Sequence, residues 1–495
     1  MIKTTPLLAG ALCAFTMAGS SLAYAQEKLF EGVTVNVMTR PGEVIARRLA
    51  ERGVEFEAMT GAKIVVNEVP FAELFQKVQT DWSTGTNSID VGVIAAGWAV
   101  ELDASGLIED LSAYVAADPL INVDDIAPYF REVNQKIGGA TKLITVDGDF
   151  QMVYYRDDVL TAAGLTAPDT WEEYLANAKA VNGQDMNGDG EPDYGSCIFK
   201  KRNAQSYFAI STVAAGAVQS GGTAEGLFFD LTTMKPKINN AAWKAAFELY
   251  KATGEFGPPD ELNQDIGDTR SLVKAGRCAQ TIDWGDIGPL SIAEDATAIK
   301  DKMFAVMNPG WTSVLDPATG AMVACDATTC PNAINGVNHS PFGAFGGWAG
   351  VISAGSDQKV KDAAYGFLSY MNQAAQSNVD VTIGWTGYNP YRNSQLDDTK
   401  LWVDAGFSEM AATNYLGAIK ASLNNPNMSS DLRIPGAQQY SGVILDTELA
   451  RYLAGEITVE EALANIETGW EEVTEDFGRD AQLGLYTKSL GATNQ

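Results

Sequence analysis

The first hundred residues alternate between short apolar runs and stretches whose apolar residues recur at helical spacing. Strands are predicted at 33–38, 63–69 and 89–94, and helices are predicted at 43–60 and 71–82. This strand-helix-strand-helix-strand order is typical of a parallel sheet covered by helices. The chain therefore predicts an α/β fold from its beginning.

A second block of the same kind begins at "DFQMVYYRDDVLTAAGL", which predicts a strand followed by a short helix. In "DTWEEYLANAKAV", Asp169 or Thr170 can cap a helix whose first turn carries two glutamates. Later strands are predicted in "RCAQTIDWG" and "GGWAGVISA", and later helices in "DQKVKDAAYGFLSYMNQAA" and at 438–453 and 458–477. Two α/β lobes joined by short crossings fit this order.

The start of the chain has the form of a cleavable secretion signal. Lys3 precedes an apolar stretch over 6–18, and Ala23 and Ala25 supply the small residues of a cleavage site before Gln26. A lipid anchor at Cys13 is the lesser alternative, because the preceding Leu12 is larger than a lipoprotein signal favours. No later segment has the roughly 20 uninterrupted apolar residues of a membrane helix. The sequence predicts an exported, soluble protein.

The charge balance narrows the possible partners. The chain has 63 acidic residues against 34 Lys and Arg, a formal net charge of −29. Binding to nucleic acid or to anionic membrane surfaces needs basic surface, so the charge balance argues against both. The acidic excess favours solubility. After the signal, about 470 residues remain, which form one very large domain or, as the favoured prediction, two or more lobes.

Four cysteines remain after the predicted cleavage, and four allow three pairings. Cys325 and Cys330 bracket a short polar run, so a small disulfide loop is predicted there, which leaves Cys197 to pair with Cys278. An oxidising compartment favours disulfides. Zinc is the alternative, but the single histidine, His339, has no second histidine beside it and the cysteine spacing is not C-x2-C.

The stretch "DMNGDGEPDYGS" (185–196) matches a calcium loop in most of its positions. Position 12 is Ser196, where the helix-loop-helix version has a bidentate glutamate, and the residues after it predict a strand instead of a second helix. We therefore expect a structural Ca²⁺ that braces a surface loop; the alternative is a solvated turn. The predicted ligands are Asp185, Asn187, Asp189, Glu191 and Asp193.

The common catalytic fingerprints do not occur. The chain has no G-x-S-x-G, H-E-x-x-H, G-x-G-x-x-G or P-loop motif. A secreted glycoside hydrolase stays open as an alternative, because it needs only two carboxylates facing each other across a groove.

Five successive stretches resemble bacterial extracellular solute-binding proteins of family 1, the maltose-binding-protein-like group that delivers sugars to ABC importers. They are "PDTWEEYLANAKAV" (168–181), "LVKAGRCAQTIDWGDIG" (272–288), "GGWAGVISAGSDQKVKDAAYGFLSYM" (346–371), "GYNPYRNS" (387–394) and "YLAGEITVEEALANIETGWEEV" (452–473). The order of these stretches along the chain is that of the family.

The resemblance implies a two-lobe periplasmic binding protein fold of type II with three crossings between the lobes. One lobe would comprise 26–147 and 350–387, and the other 148–349 and 388–495. It further implies a monomer without catalytic activity, which closes a hinge over a solute and presents the closed form to a membrane permease. Presentation to a chemoreceptor or sensor kinase is an alternative that the sequence leaves open.

Sugar recognition combines aromatic faces with polar side chains that bond hydroxyls. Trp98 follows the third predicted strand, at the end of the sheet where open α/β folds bind ligands. The resemblance places a cleft tryptophan at Trp284, with Asp283 and Asp286 as hydroxyl acceptors. It also brings Thr39, Arg40, Trp348, Tyr388, Arg392 and Tyr440 to stretches that face the cleft.

The ligand itself has alternatives. A polyol, a sugar phosphate or glycerol phosphodiester, or an acidic oligosaccharide would suit the same fold. Arg40, Arg392 and the basic run Lys200–Arg202 could serve an anionic ligand, although both arginines could instead be surface charges or members of internal ion pairs.

Overall fold

A computed structural model describes residues 28–491 of the chain. The predicted signal sequence over 1–25, the cleavage site before Gln26 and the alternative lipid anchor at Cys13 lie outside these residues. Between residues 28 and 491, no helix has both the length and the apolar character needed to cross a membrane.

Fourteen strands are assigned within the described residues. They are β1 Thr34–Thr39, β2 Lys63–Glu68, β3 Val91–Ala95, β4 Lys136–Ile137, β5 Ala140–Thr141, β6 Ile144–Thr145, β7 Met152–Arg156, β8 Gln280–Asp283, β9 Met303–Val306, β10 Ser313–Leu315, β11 Met322–Ala324, β12 Phe342–Gly343, β13 Trp348–Ile352 and β14 Ser429–Ser430.

Eighteen α-helices are assigned in the same range. They are α1 Arg48–Thr60, α2 Phe71–Ser83, α3 Ala99–Ala104, α4 Ser112–Ala117, α5 Asp157–Ala162, α6 Trp171–Val181, α7 Ser206–Val218, α8 Ala241–Thr253, α9 Ile266–Lys274, α10 Ile287–Leu290, α11 Gln358–Asn372, α12 Ala374–Asp380, α13 Asn393–Asp397, α14 Thr399–Asp404, α15 Glu409–Leu423, α16 Asp446–Leu453, α17 Val459–Phe477 and α18 Arg479–Ser489. Wider π-helical turns at Glu43–Arg47 and Gln438–Leu445 precede α1 and α16.

Two sheets organise the molecule. The larger one has the order β2-β1-β3-β13-β6, with β1 parallel to β2 and β3, and β13 antiparallel to β3 and β6. The smaller one has the order β8-β7-β9 and is antiparallel. The parallel start predicted from the apolar pattern is confirmed. Helix α11 packs on the larger sheet, and α15 packs against β9 of the smaller one.

The predicted start of the helix after residue 168 is also confirmed. Thr170 is the N-cap of α6, and its hydroxyl accepts a hydrogen bond from the amide of Glu173 at 3.1 Å. The Glu173 carboxylate returns the interaction by accepting from the Thr170 amide at 3.2 Å. Such a capping box satisfies two backbone donors that a helix start otherwise leaves without partners.

The chain passes between the two sheets three times. The passages are residues 146–151 between β6 and β7, residues 344–347 before β13, and residues 381–392 after α12. Glycines allow these passages to touch: a side chain on Gly148 would collide with the carbonyl of Pro390, and one on Gly347 would collide with the carbonyl of Asp147. Only a residue without a Cβ permits such close backbone contact.

Both predicted disulfides are present, one between Cys197 and Cys278 and one between Cys325 and Cys330. The first joins the segment before α7 to the segment that enters β8, across a sequence separation of 81 residues. The second closes a loop directly after β11. All four cysteines within residues 28–491 are therefore paired, and the zinc alternative is wrong.

Candidate functional site

Side chains from both sheets meet at one enclosed cavity. Arg40 directly follows the carboxyl end of β1, and Trp348 opens β13, which pairs with the carboxyl end of β3. On the other side, Trp284 follows β8, and Asp149 lies just before β7, the neighbouring strand. The antiparallel register of β7 and β8 therefore brings Asp149 and Trp284 to the same edge of the smaller sheet.

The cavity and its open mouth contain about 300 Å³ of space that no protein atom fills, part of it continuous with solvent. Its wall is mixed, with aromatic faces, two guanidinium groups and two carboxylates. The lining residues are Arg40, Val44, Asp149, Gln205, Ile266, Arg270, Trp284, Asp286, Phe345, Trp348 and Gly387.

The aromatic part of the wall is continuous. The Phe345 and Trp348 rings are 4.8 Å apart between centroids, and Phe208 contacts both Phe345 and Trp284 at 5.9 Å. Trp284 also stacks on Phe199 at 5.2 Å with nearly parallel rings. The indole of Trp284 is thus fixed by packing on its far side, while its Nε1–H is buried and has no hydrogen-bond acceptor.

One arginine holds the acidic side of the cavity. The Nη2 of Arg270 donates to Asp283 at 2.6 Å and to Asp286 at 2.7 Å. Burial raises the pKa of Asp283 to about 6, although Arg270 opposes this shift. Arg270 therefore lies between two carboxylates and stabilises both in their charged form.

Asp149 is buried without a guanidinium partner of its own. Its Oδ1 accepts from the Asn389 side chain at 3.2 Å and from the Gly285 amide at 3.4 Å. Burial raises the pKa of Asp149 well above its usual range, and the nearby carboxylates of Asp147 and Asp286 raise it further. A ligand group that donates a hydrogen bond or carries positive charge would relieve this cost.

Arg40 faces the cavity from the side of the larger sheet. Burial is the main cause that lowers the pKa of Arg40, and the charge of Arg270 adds to it. The Nε of Arg40 is buried and makes no hydrogen bond. An unsatisfied buried donor of this kind costs about 1–3 kcal/mol, which a ligand acceptor can recover.

The structure brings four of the predicted site residues into this cavity, and Asp283 supports them through Arg270. Trp98 lies in a second, adjacent cavity of about 300 Å³ with Tyr207, Asp431 and Gln438. The contact between Phe208 and Phe345 lies between the two cavities. The four residues placed in the first cavity are Arg40, Trp284, Asp286 and Trp348.

Four predicted residues lie elsewhere, because the protein itself satisfies their polar groups. The hydroxyl of Thr39 donates to the Val93 carbonyl at 3.1 Å within the sheet, and that of Tyr388 donates to the Ile45 carbonyl at 3.3 Å. The Tyr440 hydroxyl bonds Thr474 at 2.9 Å. Their prediction as cleft residues is corrected to a structural role.

Arg392 is the fourth of these. It is fully buried, pairs with Asp125 at 3.2 Å, and donates to the carbonyls of Ile121 at 2.8 Å and Asn372 at 3.0 Å. No donor remains for a ligand, so Arg392 ties the third passage to neighbouring loops.

Sequence reasoning missed Asp149, Gln205, Arg270 and Phe345. The signal for Asp149 was the acidic pair on either side of Gly148 in a predicted crossing. Gln205 and Phe345 have left-handed backbone conformations, with φ of 77° and 66°, which are uncommon for residues with side chains and cluster at functional sites. Nothing in the sequence pattern indicates that Arg270, on α9, reaches two aspartates after β8.

The predicted calcium loop adopts a compact turn. The carboxylate of Asp185 accepts from the amides of Gly188 at 2.7 Å, Asp189 at 3.1 Å and Gly190 at 2.9 Å. Asp193 uses both of its oxygens within the protein: one accepts from the amide of Met186 at 2.7 Å, and the other pairs with Arg277 at 2.8 Å.

The side chains of this loop do not converge as a set of metal ligands. From residue 28 to residue 491, no group of three or more His, Cys, Asp or Glu side chains is arranged to hold a metal ion. Ca²⁺ bound by Asp185, Asn187, Asp189, Glu191 and Asp193 stays a prediction, and no step of the function is derived from it.

Comparison with known proteins gives consistent results. A family model described as bacterial extracellular solute-binding protein matches residues 51–409. A probable amino-acid ABC transporter periplasmic-binding protein of Sinorhizobium fredii is 24% identical over 413 residues, which covers 79% of this chain and 81% of that protein.

Solved structures share the fold. A solute-binding protein of an ABC transporter from Agrobacterium radiobacter, in complex with ribitol, superposes with a TM-score of 0.72 at 21% identity, covering 90% of this chain and all of the other. Maltose-bound MalE3 of T. maritima superposes with a TM-score of 0.68 at 17% identity, covering 89% of this chain and all of the other.

Proposed function

The chain belongs to the bacterial extracellular solute-binding proteins, and we propose that it captures a small polyhydroxylated solute, a carbohydrate or a polyol, in the cavity beside Trp284. It then delivers this solute to the membrane permease of an ABC importer. The reaction is recognition alone, with no bond made or broken.

The observation that carries this proposal is the mixture of unsatisfied donors and acceptors in one small space. Arg40 and Trp284 present N–H groups without acceptors, while Asp149 and Asp286 present carboxylate oxygens. A hydroxyl group both donates and accepts, so a solute with several hydroxyls serves both kinds of partner. The aromatic faces of Trp284 and Trp348 suit the apolar C–H face of such a solute.

The anionic ligands considered from the sequence have less support. Arg392 is used internally, and Lys200 is buried against Glu261 at 2.5 Å. Of the basic residues considered for an anionic ligand, only Arg40 lines the cavity; the other guanidinium group in its wall, Arg270, is already paired with Asp283 and Asp286.

We infer that solute binding closes a hinge at the three passages. The proposed lobes are 26–147 with 350–387, and 148–349 with 388–495, except that residues 348–349 begin β13 of the larger sheet and therefore go with the first lobe. The close contacts of Gly148 and Gly347 with neighbouring passages support this assignment, since such contacts make the three segments one mechanical unit. The closed form is then the state that the permease binds.

The remaining parts of the proposal concern the cellular setting. The protein is exported to the periplasm after removal of residues 1–25 and acts as a monomer. The name of the Sinorhizobium relative, a probable ABC transporter periplasmic-binding protein, supports the periplasmic setting, and the ribitol and maltose in the related structures support a hydroxylated solute. Presentation of the closed form to a chemoreceptor is compatible with the same binding step.

A second candidate solute is an amino acid. The guanidinium of Arg40 and the carboxylates of Asp149 and Asp286 line the same cavity, a combination that can bind the carboxylate and the ammonium of one amino acid. The name of the Sinorhizobium relative favours the same candidate.

A thermal-shift screen of the mature protein against monosaccharides, disaccharides, polyols, sugar phosphates and amino acids tests the proposal. A solute at about 100 times its dissociation constant adds roughly 2.7 kcal/mol of stability, which is readily detected. We expect a hit among the hydroxylated solutes, recovered unchanged by mass spectrometry. A converted hit supports the glycoside hydrolase instead, and stabilisation by amino acids alone supports the second candidate.

A further inference from the structure

The charges around the cavity do not balance. Two guanidinium groups face four buried carboxylates, and the nearby basic side chains are paired elsewhere. The carboxylates belong to Asp147, Asp149, Asp283 and Asp286, and the guanidinium groups to Arg40 and Arg270. We propose that the bound solute carries a protonated amine, which lies against Asp149 and Asp286. This inference rests on the proposed solute site.

The two guanidinium groups at the cavity do not neutralise all four carboxylates. Arg270 pairs with Asp283 and Asp286. Arg40 makes no ion pair within 4 Å in the described part of the chain, and its Nε lacks an acceptor. Buried carboxylates need a paired cation to stay charged at low cost. Since Arg270 is paired with Asp283 and Asp286, and Asp149 has no ion-pair partner within 4 Å in the described part of the chain, the cavity has a place for a positive charge beside Asp149.

Asp149 provides the contact point. Its Oδ1 is engaged by Asn389 and Gly285, while its Oδ2 accepts no hydrogen bond from any residue in the described range. Asp286 is similar, since its Oδ2 accepts from Arg270 and its Oδ1 has no donor among residues 28–491. Each carboxylate keeps one free oxygen, and both residues line the cavity.

The aromatic wall favours the same ligand group. Trp284, Trp348 and Phe345 line the cavity together with these carboxylates. A cation near the faces of such rings gains electrostatic energy from their quadrupoles, and the gain is largest where water is excluded. Aromatic faces beside carboxylates are a combination that distinguishes an ammonium group from a neutral hydroxyl.

Arg40 defines the rest of the solute. Its free N–H groups require an acceptor, which an uncharged hydroxyl or a carboxylate can supply. The solute is therefore a protonated amine joined to hydroxyls, as in an amino sugar or amino polyol, or joined to a carboxylate, as in an amino acid. The protonated amine is the group that all of these solutes have in common.

Isothermal titration calorimetry with matched pairs tests the inference. The pairs are glucose with glucosamine and sorbitol with 1-amino-1-deoxysorbitol, and L-serine represents amino acids. We expect at least one amine to bind the wild-type protein about tenfold more tightly than its hydroxyl partner, since hydrogen bonds to charged groups exceed neutral ones. A neutral partner that binds equally well or better overturns the inference.

The Asp149→Asn variant keeps the shape of the side chain and removes its charge. We expect its preference for the amine to fall below about threefold, while the neutral partner still binds. The matched control is Asp90→Asn, which changes a buried carboxylate bonded to Asn36 and Ser356. This control should retain the wild-type preference. An unchanged preference in Asp149→Asn overturns the inference.

The outcomes separate the two proposals. If neutral sugars or polyols bind and the amines do not, the proposed function is supported and the inference of a protonated amine is wrong. If only L-serine binds, the inference of a protonated amine is supported and the solute is an amino acid. If no member of the panel binds, the proposed function fails and the amine inference fails with it.

Discussion

Substitution of Trp284 by phenylalanine separates the packing of the indole ring from its hydrogen-bonding group. The ring stacks on Phe199 and meets Phe208 edge to face, and only 2% of the residue is exposed. The Nε1–H has no acceptor in the protein. Phenylalanine keeps an aromatic ring in this place and removes the donor.

The expected magnitudes differ clearly between two substitutions. Trp284→Ala would leave a cavity in a packed aromatic cluster and cost about 3–5 kcal/mol of folding stability, so its binding data would be difficult to interpret. Trp284→Phe removes one ligand hydrogen bond, which is worth about 0.5–1.5 kcal/mol. We therefore expect the dissociation constant of the solute to rise about 2- to 13-fold.

Calorimetry on the best solute from the screen measures this change, with thermal unfolding to confirm that the variant is folded. Trp171→Phe is the matched control, because Trp171 is also fully buried with an unpartnered Nε1–H and lies on α6, away from the cavity lining. The control should bind like the wild type. If Trp284→Phe also binds like the wild type, the indole N–H does not reach the solute and the reasoning is refuted.

Three further predictions concern stability, affinity and metal. Burial raises the pKa of Asp446 to about 6, so the folded state holds a proton that the unfolded chain releases near pH 4. The folding stability should therefore fall as pH rises from about 4 to about 6. The melting temperature of the Asp446→Asn variant should lack that part of the pH dependence. Asn389→Ala removes an amide donor shared by three carboxylates. Calorimetry should show solute binding weakened about tenfold. Unchanged affinity would show that this amide does not organise the cavity. Calcium at about 100 times its dissociation constant should add roughly 2.7 kcal/mol of stability, lost in the double variant Asp185→Asn, Asp189→Asn; equal melting in calcium and in chelator would contradict the metal site.

The elements that were predicted correctly are those that local patterns determine. The capped helix at Thr170 and the parallel start of the larger sheet follow from spacing within a few residues. The pairing of Cys197 with Cys278 followed from elimination, once Cys325 and Cys330 were assigned to a short loop. None of these inferences required knowledge of distant contacts.

The site was predicted only in part, because neighbouring residues of one segment can face opposite ways. In the third passage, Gly387 lines the cavity, while Tyr388 is buried against Ile45. After β8, Trp284 and Asp286 line the cavity, while Asp283 does not line it and pairs with the lining residue Arg270. Orientation of this kind depends on the packing of two sheets, which no single stretch of sequence encodes.

A single asparagine joins the cavity to the passages between the sheets. The Asn389 side chain donates to the cavity carboxylate of Asp149 at 3.2 Å and to Asp147 at 3.1 Å. Asp147 in turn accepts from the Asn389 amide at 2.7 Å and from the Trp348 amide at 3.2 Å. Residues 147, 348 and 389 border or lie in the three different passages. A positive group placed against Asp149 acts on the same hydrogen-bond network that holds the passages together, so the occupancy of the cavity and the geometry of the hinge share one set of contacts.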